Sequence, residues 1–321
     1  MITAAFTEAQ FRTAVAAAVR APSLHNSQPW RFGLRGGAME VRVDPARRSP
    51  VSDPTGWAAR IACGAAVFNL RLALAVAGLP AEVRLRPDPA DADLVARLVP
   101  GLPRPATPVE RSLYDAVARR HSNRAPFWPT PVPASARARM ADAARAEGAW
   151  LEFVIGVAAV GAVAEIARGA HDVLQRDPRY REELAGWIRE EHAFDGVPAE
   201  AGGPTPEPQD LLPMRPFGAR TRAPGRDFEP EPLVAVLGGP GDTAGDQIGA
   251  GQALQRLLLT ATDLSLAASM LSQPIEVPSA REQLRMALGR YGTPQMVIRI
   301  GYGQPGWPTP RRSPDDVIDL S

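Results

Sequence analysis

Apolar residues recur at helical spacing from Glu8 to Arg20 and stop at Ala21-Pro22, which predicts a first amphipathic helix. The pattern then shortens to two apolar runs, Arg31–Leu34 and Met39–Val43, around Gly36-Gly37, the signature of a hairpin. A connector from Asp44 to Thr55 leads into a long Ala/Leu-rich helix, Trp57–Ala77, stopped by Gly78 and Pro80. Ala81–Arg86 reads as a strand. The proline-rich run Pro100–Pro108 marks a boundary between two halves, 1–100 and 101–321. Beyond it, helices are predicted over Val109–Arg119, Ser135–Glu147, Val157–Gln175, Pro178–His192 and Gln247–Ser269. Strands are predicted over Trp150–Ile155, Leu233–Leu237 and Gln295–Ile300. Residues 195–232 carry Pro, Gly and charge without periodicity, too long for a plain connector, so a lid or wrapping arm is expected there.

The two longest helical patterns match each other. Gly64 to Leu79 aligns without gaps to Gly251 to Leu266, each with Gly at its start and a strand candidate after it. Strands and helices in mixed order within each half predict an α+β layered fold.

Composition narrows the chemistry. A net charge of +1 gives no ground for nucleic-acid or anionic-membrane binding. Every cationic side chain is Arg, so a lysine Schiff base and a lysine P-loop are excluded, and an anion clamp must use Arg or backbone N–H groups. The single cysteine, Cys63, rules out an intrachain disulfide and reads as a buried small residue. His25, His121, His171 and His192 are too dispersed for a metal set. The first residues lack a basic stretch followed by an apolar one, and no uninterrupted apolar run approaches the roughly 20 residues of a membrane span, so a cytoplasmic protein is expected. Ser23 and His25 lie too close for a nucleophile–base pair, and no Gly-x-Ser-x-Gly elbow occurs. Gly238-Gly239-Pro240-Gly241 reads as a turn, not a phosphate loop.

The richest cluster of directional polar groups is the loop Pro22-Ser23-Leu24-His25-Asn26-Ser27-Gln28-Pro29-Trp30, with Trp30 expected in the core. Later come Arg119-Arg120-His121-Ser122-Asn123-Arg124, Pro274-Ile275-Glu276, Gly301-Tyr302 and Arg311-Arg312-Ser313-Pro314. Together, in stretches spanning nearly the whole chain, these resemble the nitroreductase superfamily of FMN-dependent oxidoreductases. The first half holds the Asn-x-Gln-Pro-Trp loop, and the second holds the Arg opening and basic tail. The chain therefore resembles a family homodimer fused end to end, as in the Acg-like branch, with one of its two sites kept.

The resemblance implies a nitroreductase-like fold of two fused pseudo-repeat halves, each with an antiparallel-type sheet packed by helices. It implies one FMN per chain and a monomer made possible by the fusion. Arg120 and Ser122 match the phosphate-side residues, with His121 between them and Arg311 or Arg312 closing from the tail. Arg124 matches the position facing N1 and O2 of the ring, where a fixed cation favours the reduced flavin. Asn26 and Gln28 suit flavin edge groups and ribityl hydroxyls. Pro22, Ser23, His25 and Arg31 share that loop. From Pro274-Ile275-Glu276 a backbone N–H of Glu276 is expected near N5, so loss of the Glu276 side chain should change little. No side-chain acid is required, because the flavin carries hydride from NAD(P)H to a nitroaromatic or quinone in ping-pong fashion. The alternative is a protein that sequesters FMN beneath a lid carrying Met214, Arg215, Pro216 and Phe217. A flavin-free scaffold is the third reading.

Overall fold

The computed structural model describes residues 5–189, 193–207, 210–218, 221–222, 229 and 232–319. The predicted helix end at His192 and residues 208–209, 219–220, 223–228 and 230–231 of the expected lid lie outside the described residues.

The described chain is α+β. Helix α1 (Glu8–Ala18) opens on a capping box between Thr7 and Gln10. Strands β1 (Trp30–Arg35) and β2 (Ala38–Val43) form the predicted hairpin, with Gly36 and Gly37 both at positive φ in its two-residue turn. Then come α2 (Trp57–Val76), β3 (Ala81–Leu85), β4 (Leu94–Pro100) and α3 (Pro108–Val117). The chain continues through α4 (Ala134–Arg145), β5 (Trp150–Val154), α5 (Val157–Arg176), α6 (Pro178–Gly186), and the short strands β6 (Ile188–Arg189) and β7 (Val197–Pro198). It closes with β8 (Leu233–Gly239), α7 (Ala244–Asp263), β9 (Ala267–Leu271), α8 (Gln273–Glu276), α9 (Pro278–Leu288), β10 (Thr293–Gly301) and β11 (Ile318–Asp319).

Two main sheets result. One has the order β11-β1-β2-β4-β3, antiparallel except where β11 runs parallel to β1. The other has the order β5-β8-β10-β9 and is antiparallel throughout. Each packs against its own apolar core, and α2 contributes to both: Trp57, Ala58 and Ile61 to one, Cys63, Val67 and Leu70 to the other. Among described helices, α2 alone has the length and apolar composition to cross a membrane, and 83% of its most apolar stretch is buried inside the protein. Trp30 and Cys63 are fully buried, as their sequence contexts predict.

Two helix ends differ from the sequence pattern. The helix predicted to reach Ser269 ends at Asp263, because Ser265 takes a positive φ and the apolar run beyond it enters β9. The helix predicted from Pro178 stops at Gly186. Strand β4 was not anticipated: its apolar residues are buried together without the alternation that marks a one-sided strand.

Helices α2 and α7 cross at Gly64 and Gly251, the two residues paired by the ungapped match. A Cβ on Gly64 would stand 2.1 Å from the Ile248 carbonyl oxygen, and a Cβ on Gly251 would stand 2.1 Å from that of Ile61. The contact is reciprocal, since Ile61 and Ile248 each precede their glycine by three positions. Beside the crossing a buried amide bridge fixes the register: Gln255 Nε2 donates to Asn69 Oδ1 (2.8 Å), and Asn69 Nδ2 donates to the Ala17 carbonyl (2.9 Å).

Gly64→Ala is therefore expected to destabilise the protein by about 2 kcal/mol or more, because backbone opposes the new methyl group. Gly249→Ala on the same helix, where a Cβ meets nothing within 4 Å, is expected to stabilise by about 0.5–1 kcal/mol. Urea midpoints of the two variants measured side by side test the crossing. Equal shifts would remove its special status.

Candidate functional site

The loop between α1 and β1 is bent by three non-glycine residues at positive φ: His25 (53°), Asn26 (56°) and Gln28 (53°). Such a conformation persists only where surrounding contacts over-determine it. Asn26 Nδ2 donates to the carbonyls of Gly196 and Pro310, both at 2.9 Å, and Asn26 Oδ1 accepts from Arg311 Nη1 at 2.8 Å. Gln28 Nε2 donates to the Phe194 carbonyl (2.9 Å), and Gln28 Oε1 accepts from the Arg312 backbone N–H (2.8 Å). Ser23 Oγ accepts from the Gln28 backbone N–H (2.9 Å).

At the end of α1 and α3 the protein gathers cations without counterions. Arg120 is buried and donates from Nη2 to the Arg20 carbonyl (3.0 Å). Burial, and next the charge of Arg20, pushes the Arg120 guanidinium down to about 10. Burial, then Arg120 and Arg20, pushes Arg311 to about 9. Both remain charged at neutral pH. Among the described residues no carboxylate pairs with either, and Nε of each is buried without a hydrogen-bond partner. His121 beside them is pushed down to about 4 by burial first and then by Arg120, Arg311 and Arg20. Buried donors and uncompensated cations of this kind fit an anion, and Arg forks fit a phosphate in particular.

Along residues 120–124 the same segment runs from this pole to a cleft of about 750 Å³, open mouth included. Trp57, Ala58, Ile61 and Leu254 give it apolar walls; Ser23, His25, Ser122, Arg124, Arg215 and Gln273 give it polar groups. Arg124 donates to the Ala201 carbonyl (2.8 Å) and stacks over the Phe217 ring at 4.6 Å. Burial, then Arg215 and Arg299, holds its guanidinium at about 10. His25 is buried, and burial followed by Arg215 and Arg124 keeps it well below the usual imidazole range, hence neutral.

Part of the non-periodic segment lies on this cleft. Met214, Arg215 and Phe217 line it, whereas Pro216 is exposed. Phe217 meets His25 edge-on, with ring centroids 5.8 Å apart. Arg215 pairs with Glu276 of α8 and lies 6.0 Å over the Tyr180 ring. Both members of the pair are buried, with side-chain exposures of 6% and 0%.

Of the residues singled out in the sequence, Pro22, Ser23, His25, Ser122 and Arg124 line the cleft, Arg120 and Arg311 belong to the cationic pole, and His121 lies beside it. Asn26 and Gln28 are not on the cleft wall; their amides fasten the loop to the rest of the chain. Arg31 pairs with Asp44 and Asp319 at the edge of the first sheet. The Arg312 side chain donates to the Asp316 carbonyl (2.7 Å). Pro274 and Ile275 are buried in α8 and do not line the cleft. Glu276 departs from the expectation: its backbone N–H donates to the Ser272 carbonyl (3.0 Å), and its side chain forms an ion pair with buried Arg215. With that pair in place, loss of the Glu276 side chain is expected to cost stability, contrary to the sequence expectation. Arg20 was missed, although its place two residues before Pro22 at a helix end was the available signal. The partner of Arg215, 61 positions away in sequence, had no signal.

No protein-family model matches the chain. It is 32% identical over 318 residues to the Mycobacterium tuberculosis (strain H37Rv) protein named "Putative NAD(P)H nitroreductase Rv3131", covering 96% of this chain and 90% of that one. A second relative from the same organism, named "Putative NAD(P)H nitroreductase acg", is 28% identical over 323 residues, 96% of this chain and 95% of its own. Among solved structures, the FMN- and NADPH-dependent nitroreductase NfnB from sphigopyxis sp. strain HMH is 22% identical with a TM-score of 0.42, covering 65% of this chain and 98% of that one. A nitroreductase with bound FMN from Bacteroides fragilis NCTC 9343 is 14% identical with a TM-score of 0.38, covering 62% and 92%.

Glu276→Ala leaves Arg215 charged and buried without its partner, so a loss of about 3–5 kcal/mol is expected, with much of it regained in the Arg215→Met/Glu276→Met double variant. Unfolding midpoints of the single and double variants check this. A second expectation concerns acid. The folded-state pKa of His121 lies below its unfolded value of about 6.5, so the unfolded chain takes up the proton first and stability falls as pH drops from about 6.5 towards 4. His121→Asn is expected to make the fall in thermal midpoint between about pH 6.5 and 5 shallower than in the parent protein. Parallel slopes would mean that His121 is not held neutral.

Proposed function

The chain belongs to the nitroreductase family of these relatives, and we propose that it is an FMN-dependent oxidoreductase carrying hydride from NAD(P)H to an electron-poor acceptor such as a nitroaromatic or a quinone. The observation that carries this reading is the cationic pole of Arg20, Arg120 and Arg311 joined through residues 120–124 to an apolar-walled cleft. The two parts match the two ends of FMN: a dianionic phosphate, and a flat ring with an apolar dimethylbenzene end and a polar pyrimidine edge.

In this reading Arg120 and Arg311 hold the phosphate through Nε donors that have no protein partner, and Ser122 adds a hydroxyl at the near end of the cleft. Bound FMN would supply the two-electron redox chemistry that no side chain here provides. Arg124 contributes a fixed charge inside the cleft, where it stabilises negative charge on a bound ring and raises its affinity for electrons. His25 remains neutral there, able to orient a polar edge through one ring nitrogen. Trp57, Ile61 and Leu254 keep water from the cleft wall. We further propose that residues 1–100 and 101–321 stand in for the two subunits of a family dimer, so that one chain holds one FMN without a second copy. The meeting of Gly64 with Gly251 supports that division.

A second reading is favoured by one observation. Arg215 and Phe217 lie on the cleft from a segment pinned by a buried ion pair, an arrangement suited to holding flavin and excluding nicotinamide.

Anaerobic absorbance titration of the purified protein with NADPH and then NADH separates the readings. The expected result is about one flavin per chain, bleached by a pyridine nucleotide. Bleaching by dithionite alone would favour the sequestering protein, and absence of any flavin band after reconstitution would sink both. Removal of either pole cation, Arg120→Leu or Arg311→Leu, is expected to weaken FMN retention by about tenfold or more, because each loses a charge-assisted bond to phosphate.

A further inference from the structure

We propose that a recess between α2, α3 and α7 is a second small-molecule site, built for an aromatic monocarboxylate. On α2 the cleft residues precede Gly64, whereas the recess residues Phe68, Arg71, Leu72 and Ala75 follow it. No residue lines both, so the inference stands apart from the flavin reading.

Space, apolar surface and charge carry it together. The recess holds about 280 Å³, against the roughly 150 Å³ of apolar cavity that accommodates benzene, so a fused pair of rings fits. Phe68, Leu72 and Leu113 are buried and form its apolar interior. Three arginines, Arg71, Arg104 and Arg256, lie around them. Arg104 is already satisfied: Nη1 and Nη2 donate to the two oxygens of Glu110, at 2.8 and 2.5 Å. Arg71 and Arg256 are not. Each donates from Nη1 to Glu147, at 2.6 Å to Oε2 and 2.9 Å to Oε1, so one carboxylate serves two guanidinium groups. One positive charge is left over. Arg71 Nη1 also donates to Gln252 Oε1 (2.8 Å), but Nε and Nη2 of both arginines make no hydrogen bond among the described residues. The Arg71 guanidinium stands over the Phe68 ring at 5.6 Å, which sets the spare charge directly beside the apolar interior.

These features define the ligand. The Nε–Nη2 edge of a guanidinium is a flat fork that matches a carboxylate, and the spare charge is single, which suits a monoanion better than a phosphate dianion. An inorganic anion would leave the interior unfilled. A purely apolar molecule would leave the free N–H donors facing it. A carboxylate joined to an aromatic body uses both, in the usual manner of a small-molecule site with an apolar lining and a few placed polar groups. The side chains of Arg71 and Arg256 are 33% and 28% exposed, so water screens the pair and the charge adds modestly to what burial of the rings supplies.

The test uses the full chain in the presence of excess FMN and follows methyl NMR signals of Leu72 and Leu113 in the recess and of Leu254 in the cleft. Naphthoate is the probe, and naphthylmethanol is its uncharged counterpart. The expected result is that naphthoate shifts Leu72 and Leu113 saturably, leaves Leu254 in place, and binds about tenfold more tightly than the alcohol. Arg256→Gln, which leaves Glu147 to Arg71, is expected to remove most of that advantage without changing the affinity for the alcohol. Equal affinity of acid and alcohol in the parent protein overturns carboxylate recognition, whatever the variant does. Shifts at Leu254 alone, or none at Leu72 and Leu113 with about 5 mM probe, overturn the site itself. Shifts at Leu72 and Leu113 that follow protein concentration without probe would assign the recess to contact between copies of the chain, and overturn it equally.

Discussion

The close approach of α2 and α7 sets the dimensions of everything built above it. At Gly64 and Gly251 the two backbones touch without intervening side chains, a separation that leaves no space for even a methyl group. Ile61, whose carbonyl meets Gly251, also lines the cleft with Trp57 and Ala58 from α2 and Leu254 from α7. The cleft floor is therefore made of the same helical turns that form the crossing. A shift of either helix would change the packing and the width of the site together. This is why the site residues come from both halves of the chain, and why the buried bridge of Asn69 and Gln255 matters: an amide pair in an apolar contact fixes register where apolar packing alone tolerates sliding.

A second constraint is electrostatic. With arginine as its only cationic side chain, the protein distinguishes structural from functional cations by their partners. Arg299 is buried with Glu229 beside it and with the carbonyls of Asn123 (3.0 Å) and Ala125 (2.9 Å) as acceptors. Arg215 has Glu276. Arg120 and Arg311 have only carbonyls, one amide and one hydroxyl as acceptors, and the charge of Arg120 lowers the proton affinity of Arg311. Burial of unpaired charge costs several kcal/mol, and a protein retains it where a ligand of opposite charge offsets the cost. The contrast between the carboxylate-paired Arg215 and Arg299 and the unpaired Arg120 and Arg311 supports reading the pole as an anion site.

The sequence made the framework legible where local chemistry dictates structure. Gly36-Gly37 imposes a tight hairpin, Pro22 and Pro29 bound the loop, and the apolar period of α2 and α7 follows from burial on most of their surface. The gathering of Arg120, His121, Ser122 and Arg124 near the cleft was also readable, because one short segment carries all four. What stayed hidden depends on distant partners. Nothing local reveals that Glu276 faces Arg215, or that Asn26 and Gln28 direct their amides to Gly196, Phe194 and the tail instead of a ligand. The same cause explains β4 and the overrun of α7. An apolar run is compatible with helix or strand, and the choice at Leu264–Leu271 is made by Ser265 at positive φ and by the ladder to β10.

The use of Asn26 and Gln28 within the protein follows from the shape of their loop. Residues at positive φ lose their preferred backbone wells, and three such residues within four positions need contacts that exclude the alternatives. A carboxamide meets that need well, since it donates and accepts at one end of a short side chain and so joins two other segments at once. Each of these amides does so: Asn26 links Gly196 to Arg311, and Gln28 links Phe194 to Arg312. The bent loop thus brings Ser23 and His25 to the cleft only because its polar residues grip both the covering segment and the C-terminal tail. Site, cover and tail thus share one set of hydrogen bonds, and the loop holds its shape only while all three are in place.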